Sequence, residues 1–250
     1  MQSLKELSKK YSKKVDGRKK HFIIVDTEAR NKSDIYNIGW VVSDKQGNKL
    51  VERSFLVEEF YDDIFNSDNI TPYYKRKKIK YDYKLEKGLT VVKPYHEIYE
   101  TLVQDITEYN TRVFCAYNIN YDKSVINKTH YNLTGEVFPL FDNMELLDIW
   151  CYACQTIATQ KNYRRFCEEH DYFTKKGNME TGAEVMYRYI SNDNNFQEWH
   201  TALLDSKIES DILNKGLRQR KKVVALTHHN PTYLMNKIIK EKENKQTSLF

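Results

Sequence analysis

The stretch Phe22-Ile23-Ile24-Val25-Asp26-Thr27-Glu28 joins an uninterrupted apolar run to two carboxylates. An apolar run this short indicates a strand whose two faces are both covered, as in the centre of an α/β sheet. Residues two apart in an extended segment point to the same side, so Asp26 and Glu28 would face one space where the strand ends. The sequence therefore predicts an α/β domain with acidic groups at the end of a central strand.

The hydrophobic pattern around this strand predicts an antiparallel meander, followed by alternating helices and strands. The five expected strands are His21–Asp26, Ile35–Ser43, Lys49–Val57, Arg112–Tyr117 and Met144–Trp150. The expected helices cover Pro94–Tyr109, a segment from near Asp122 to near Gly135, residues 160–170 and 180–190, and His200–Leu217.

At 250 residues the chain suits one large domain with tails. We divide it into a basic N-terminal arm (1–20), a domain (21–217), a basic and then charged tether (218–245) and a short tail (246–250). The 40 lysines and arginines against 35 acidic residues give a modest net charge of +5. The start lacks the apolar core of a secretory signal, and no apolar stretch is long enough to span a membrane, so we expect no membrane association.

Four cysteines could suggest a zinc site, because Cys151 and Cys154 are spaced as CxxC. A structural zinc site needs four ligands, and the sequence has no second pair of this spacing. Cys167 and His170 could complete the set, but buried, reduced thiols are the simpler interpretation. Reduced thiols predict a cytoplasmic location.

Further acidic candidates lie far along the chain. Asp122 follows the strand expected at 112–117, where either Asn118 or Asp122 could also cap the next helix. His200 and Asp205 are five residues apart, which on a continuous helix is an angle of about 140°. The pair can serve one site if His200 precedes the helix; otherwise both are ordinary residues of a surface helix.

Together these residues provide four carboxylates and one histidine. Oxygen ligands suit two divalent ions, Mg²⁺ or Mn²⁺, and a metal pair about 3.5–4 Å apart can hold both oxygens of a phosphodiester that is being cleaved. A histidine that titrates near neutral pH suits the base that activates water. An Asp-x-Glu segment alone is common in α/β proteins, so the prediction depends on the combination.

Residues 58–93 look like an irregular insertion with interleaved basic and aromatic residues. Lysines and arginines neutralise phosphates, and tyrosine rings stack on bases. We therefore expect substrate contacts from Lys75, Arg76, Lys77 and Lys78, the alternative being a solvated helix face.

The order Asp-x-Glu, Asn-x-x-Tyr-Asp, His-x-Ala-x-x-Asp resembles the DEDD superfamily of 3′–5′ exonucleases, in its histidine-bearing branch (DEDDh). The segment from His200 to Ile208 is similar to the third motif of epsilon-type proofreading exonucleases. The resemblance spans roughly residues 21–217 and implies a ribonuclease H-like fold, a five-stranded mixed sheet flanked by helices on both sides. It also implies a set of metal ligands and a base. The ligands would be Asp26, Glu28, Asp122 and Asp205, and the base His200.

The chain departs from this family beside the ligands. Ala29-Arg30 follows the first glutamate, where the family usually has threonines, so Arg30 could bind a phosphate instead. Tyr117 stands where a histidine is frequent, and Tyr121 where phenylalanine is frequent. The further substrate contacts that we expect are Thr27 and Asn118.

The last five residues, Gln246-Thr-Ser-Leu249-Phe250, resemble the pentapeptide with which bacterial polymerases and repair factors bind the sliding clamp. A polar anchor and two terminal apolar side chains would fill a groove on the partner. The alternative is a frayed end that happens to finish in two apolar residues.

These features predict a metal-dependent 3′–5′ exonuclease that removes nucleoside 5′-monophosphates from DNA, with single-stranded 3′ ends as its expected substrate. The clamp would recruit it in replication or repair. An enzyme that trims RNA 3′ ends is one alternative, because contacts to a 2′-hydroxyl cannot be recognised in the sequence. A non-catalytic clamp-binding adaptor is another, although it would need no set of metal ligands.

Overall fold

A computed structural model describes residues 21–68 and 70–247, with side chains up to residue 244. The strands of this part are β1 (His21–Arg30), β2 (Asp34–Ser43), β3 (Lys49–Val57), β4 (Val91–Lys93), β5 (Thr111–Ala116) and β6 (Glu145–Asp148). Its helices are α1 (Glu58–Phe65), α2 (Pro72–Glu86), α3 (Tyr95–Glu108), α4 (Ile119–Thr134), α5 (Ile149–Thr156), α6 (Lys161–His170), α7 (Ala183–Ser191), α8 (Ala202–Arg218) and α9 (Pro231–Thr247).

The strands form one mixed sheet in the order β4-β3-β2-β1-β5-β6. Strands β1, β2 and β3 are antiparallel neighbours, so the predicted meander is confirmed. Strands β1, β5 and β6 run parallel, and β4 runs parallel to β3. The predicted count of five strands is wrong by one, because β4 adds a three-residue edge strand that comes from the 58–93 segment.

Helices cover both faces of this sheet, as the continuous apolar run of β1 predicts. Ile23 and Val25 pack into one core with residues of α3 and α4. Phe22 and Ile24 point to the opposite face and pack into a second core with residues of α5 and α8. Side chains alternate between the faces of a strand, so an uninterrupted apolar run is needed where both faces are buried.

The segment 58–93 is more ordered than the irregular insertion that we expected. It forms α1 and α2, and Pro72 occupies the first turn of α2, where its missing N–H costs nothing. Phe65 of α1 and Tyr81 of α2 pack on Tyr36 of β2 in a separate aromatic cluster. This cluster attaches α2 to the sheet beside the end of β1.

Two further segments differ from expectation. The strand expected at 144–150 ends at Asp148, whose carboxylate accepts the N–H of Cys151 and so caps a helix, α5, that was not predicted. The tether expected over 218–245 is partly docked, because Met235 of α9 is buried in the second core. All four cysteines are buried free thiols. None of the helices within the described ranges is long and apolar enough to cross a membrane.

Candidate active site

Two of the predicted ligands, Asp26 and Glu28, lie on β1 beyond its last residue that pairs with β5. This pairing extends to Ile24, so the edge of β1 beyond Ile24 is open on that side. The first turn of α4 lies there and contributes Asp122. The Thr27 hydroxyl donates a hydrogen bond of 2.9 Å to Oδ1 of Asp122. Thr27, which we expected to contact substrate, thus holds one of the predicted carboxylate ligands.

Helix α8 brings two more carboxylates over the same strand end. Asp205 and Glu209 are four residues apart and share one face of α8, and both are buried. The helix can approach because Gly39 of β2 has no side chain; a Cβ there would lie 2.4 Å from the backbone nitrogen of Leu203. Gly39 pairs with Asp26 in the β1–β2 register, so the close approach occurs beside the cluster.

The charges of these carboxylates act on one another. Burial raises the pKa of Asp26 well above its ordinary value, and neighbouring negative charges raise it further. Those charges belong to Glu209, Asp122, Asp205 and Glu28. The charges of the other three predicted ligands, and of a fifth acidic residue that was not predicted, Glu209, thus all act on Asp26.

The same effects govern the other members of the cluster. Burial raises the pKa of Asp122 to about 7, although the hydrogen bond from Thr27 opposes the change. Burial, followed by the charges of Glu198 and Glu28, raises the pKa of Asp205 to about 8. A site that collects so much negative charge out of water favours binding of protons or cations.

Within the cluster, Glu28 forms an ion pair with a lysine side chain. Lys77 of α2 forms an ion pair of 2.6 Å with Oε1 of Glu28, and the Tyr36 hydroxyl donates a 3.2 Å hydrogen bond to Oε2. Lys77 itself is 5% exposed. The charges of Lys77 and Lys84 both lower the pKa of Asp205, but they do not offset the effects of burial and of the neighbouring carboxylates.

The donor set suits a divalent cation, although the ligands do not yet form a closed shell. Within residues 21–68 and 70–244, no three His, Cys, Asp or Glu side chains are arranged closely enough to hold a metal ion as they stand. In the same part of the chain, Oδ1 of Asp205 is buried without a hydrogen-bond partner. Buried polar atoms are normally satisfied, so this orphaned oxygen and the surplus carboxylates fit a hard cation.

His200 lies on the loop before α8, the position that the five-residue spacing to Asp205 requires. The helix begins at Ala202, with Thr201 as its N-cap. The His200 side chain is 64% exposed, and its Nδ1 lies 3.9 Å from Oε2 of Glu198. The imidazole is therefore open to solvent and lies beside Glu198.

Of the other residues expected to contact substrate, two are exposed and one is held by a hydrogen bond within the domain. Tyr121 is 38% exposed, and the charges of Asp122 and Glu28 raise its pKa after the effect of burial, so it stands at the mouth. Asn118 is exposed at the start of α4 in a left-handed conformation. The Tyr117 hydroxyl donates to the carbonyl oxygen of Thr181, which occupies it away from the mouth.

The basic residues that we expected to contact substrate differ in their ion pairs and in their exposure. Arg30 is bound by Asp63 at 2.6 Å and Asp34 at 3.4 Å, so it is not a free phosphate ligand. On α2, Lys78 pairs with Asp82. Lys75 and Arg76 are exposed. Of the four basic residues predicted in this helix, Lys77 is the one that the structure places against a site carboxylate.

Sequence inspection missed several residues of the site. Glu209 accepts the N–H of Tyr117 at 3.2 Å, and its four-residue spacing from Asp205 was the available signal. Lys80 and Lys84 follow Lys77 at intervals of three and four, the spacing that identifies a common helix face. Glu198 lies two residues before His200, and no pattern marked it.

The predicted basic arm at 1–20 and the terminal Leu249 and Phe250 lie outside the described residues. Gln246 lies in the last turn of α9, where side chains are not described. No protein-family model matches the chain, and no curated protein matches it significantly. The function is therefore inferred from the motifs and from the site.

Proposed function

We propose that this protein is a metal-dependent 3′–5′ exonuclease that acts on DNA ends. The observation that carries the proposal is that carboxylates of β1, α4 and α8, beside the open edge of β1, are near enough to Asp26 for their charges to raise its pKa. These carboxylates belong to Glu28, Asp122, Asp205 and Glu209. Elements this distant in sequence have no structural need to bury their acidic residues together, because like charges out of water destabilise a fold.

The architecture supports a ribonuclease H-like domain. Without the short edge strand β4, the sheet has five strands, with an antiparallel meander followed by two parallel strands. Helices cover both faces, as the resemblance implies. The expected catalytic residues lie at the end of the central strand and at the starts of two helices that pack beside it.

The proposed reaction is hydrolysis of the terminal phosphodiester. Water attacks phosphorus and the bond to the 3′ oxygen of the penultimate nucleotide breaks. That oxygen takes a proton from solvent to become the new 3′-hydroxyl, and a nucleoside 5′-monophosphate is released. Two divalent ions bound by Asp26, Glu28, Asp122 and Asp205 would stabilise the developing negative charge when present. His200 accepts the proton of the attacking water at its imidazole and returns it to solvent from its exposed position.

Residues around the ligands have distinct supporting roles. Thr27 orients Asp122 through its hydroxyl hydrogen bond. Glu209 holds the start of the turn after β5 through the N–H of Tyr117. Tyr121, exposed at the mouth, is placed to stack on a terminal base or sugar.

A direct test uses purified protein with 3′-labelled single strands of DNA and RNA, in Mg²⁺, in Mn²⁺ and in EDTA. We expect stepwise release of mononucleotides from DNA with metal and none in EDTA. Asp205→Asn should lower the rate by more than about 100-fold, beyond the range for a group that merely supports a ligand. Asp211→Asn is the matched control, because Asp211 lies on the same helix and pairs with Lys49 at the surface.

The outcomes separate the alternatives. Cleavage that persists in EDTA, or that Asp205→Asn leaves unchanged, contradicts the proposal. Preference for RNA identifies a trimming enzyme of the same chemistry. No cleavage of either strand, together with binding to a sliding clamp, identifies an adaptor.

We further propose that the terminal pentapeptide Gln246–Phe250 recruits the enzyme to a sliding clamp. The support is the sequence pattern of a polar anchor with two apolar side chains at its end. The docking of α9 through Met235 attaches the segment before this tail to the domain.

A further inference from the structure

Three lysines on one face of α2 contact three consecutive residues of the loop that carries His200. Nζ of Lys80 donates to the carbonyl oxygen of Trp199 at 3.0 Å, and Nζ of Lys77 donates to that of His200 at 2.9 Å. Nζ of Lys84 donates to Oγ1 of Thr201 at 2.6 Å. Spacings of three and four residues place the lysines on the same side of the helix. We refer to Lys77, Lys80 and Lys84 as the lysine row.

Lys77 connects this loop to the carboxylate cluster. The same ammonium that binds the His200 carbonyl forms the 2.6 Å ion pair with Glu28. It also lies 5.7 Å and 5.5 Å from the ring centres of Tyr36 and Tyr73, within the range of a cation–π interaction. The position of the histidine loop is thereby tied to a residue of β1.

The loop needs such support. His200 has a φ of 52°, in the left-handed region that a residue with a side chain seldom adopts. Such conformations persist where surrounding contacts over-determine them. The lysine row supplies contacts on both sides of this residue, and Asn37 adds one by accepting the N–H of Ala202 at 3.0 Å.

We propose that the lysine row is a positioning device that fixes His200 relative to the carboxylates. The proposed effect of the row on catalysis rests on the proposed exonuclease function. The proposed effect on the conformation of the loop does not. Lys77 is buried and directed at protein groups, so it acts through His200 and Glu28. The competing assignment is direct phosphate binding by these lysines, which the experiment below distinguishes.

The effect on the conformation of the loop is tested by hydrogen exchange of the backbone amides of Glu198 and Ala202. These amides lie on either side of His200 and donate to Glu184 and Asn37. Lys77→Met removes the ammonium and keeps an apolar stem of similar length. We expect these amides to exchange at least about tenfold faster in this variant, while the amides of β1 and β5 remain protected. Lys87→Met is the matched control, because Lys87 directly follows α2 and pairs with the exposed Glu86.

Lys80→Met repeats the test without disturbing a buried group, since its contact to Trp199 lies at the surface. If Lys77→Met fails to fold, faster exchange in Lys80→Met supports the row and unchanged exchange refutes it. Exchange in Lys77→Met equal to that in Lys87→Met refutes it as well. These readouts stand even if the protein shows no nuclease activity.

The effect on catalysis is tested by a double-mutant cycle with His200→Ala. The variant used is Lys80→Met, because it leaves the Lys77–Glu28 ion pair intact. If the row acts through His200, Lys80→Met lowers kcat in the wild-type background and has little further effect when His200 is already alanine, with KM for the oligonucleotide little changed. An effect on kcat or KM that is additive with His200→Ala overturns the proposal, and a raised KM with a flatter dependence on salt assigns Lys80 to phosphate binding.

Discussion

Replacing Gly39 by alanine would force helix α8 away from strand β2 beside the carboxylate cluster. The new Cβ would lie 2.4 Å from the backbone nitrogen of Leu203 and 2.6 Å from its Cα. Ordinary contact begins at 3.4 Å, so the gap has to open by about 1.0 Å. Backbone atoms cannot rotate away as a flexible side chain can. The first two turns of α8, which carry Asp205 and Glu209, would therefore move as a unit.

This displacement should lower both the stability of the protein and its turnover. Overpacking of this kind costs about 1–3 kcal/mol, which for a chain of this size lowers Tm by roughly 2–12 °C. A misplacement of about 1 Å in a catalytic group can reduce turnover about 100-fold. Activity should therefore fall much further than the loss of stability explains, because the variant remains folded at assay temperature.

The assay compares Gly39→Ala with Gly182→Ala by thermal unfolding and by mononucleotide release. Gly182 is a suitable control because an added Cβ there meets no atom within 4 Å and its φ of −65° is ordinary. We expect the control to retain nearly full activity. A Gly39→Ala variant with unchanged Tm and unchanged turnover would refute the role of this close approach in placing the carboxylates.

Four further predictions follow from the site. His200→Ala should reduce turnover by about 10²–10⁴ while metal binding measured by calorimetry is retained; full activity at neutral pH would exclude His200 as the base. Glu209→Gln should reduce turnover by about 10–100-fold in the same assay, the range for groups that support ligands, and a smaller effect would make it structural. Because the folded-state pKa of Asp205, about 8, lies above its unfolded value, its contribution to stability is lost as pH rises through 8. Tm of metal-free protein should therefore fall from pH 6 to pH 8.5, less steeply in Asp205→Asn; equal slopes would contradict this. Deletion of Gln246–Phe250 should leave oligonucleotide cleavage intact and abolish clamp binding, expected on the order of micromolar in a titration, whereas equal binding by both chains would exclude the tail.

The fold could be predicted largely because its strands carry strong periodic signals. The run from Phe22 to Val25 is apolar on both faces, and the structure covers both faces with helices. Strand β4 and helix α5 could not be predicted in the same way. Strand β4 has three residues, too few for a pattern, and α5 begins directly after β6, so the apolar residues of both merge into one run. The local sequence could not show where β6 ends and α5 begins, because that boundary depends on the cap formed by Asp148.

The candidate residues that could be picked out in the sequence lie beside local signals. Asp122 and Asp205 lie in the first turns of α4 and α8. Asp26 directly follows the apolar run within β1, which continues to Arg30 instead of ending at Asp26 as expected. Contacts between distant elements could not be inferred: the ion pair between Lys77 and Glu28 joins residues of separate elements through the docking of α2. The sequence could not distinguish the four basic residues 75–78. The orientation of α2 places Lys77 against Glu28.

The energetics of the cluster argue for function over stability. Each buried carboxylate loses hydration, and the neighbouring negative charges add repulsion, as the raised pKa values of Asp26 and Asp205 indicate. Apolar residues of similar volume would stabilise the same position better. Acidic groups from three elements around the unpaired Oδ1 of Asp205 therefore destabilise the folded state. A bound cation would offset this destabilisation. Asp205→Asn should accordingly raise Tm of the metal-free protein at pH 8.5 while it removes activity. A variant that is both less stable and inactive would show that Asp205 is a structural residue.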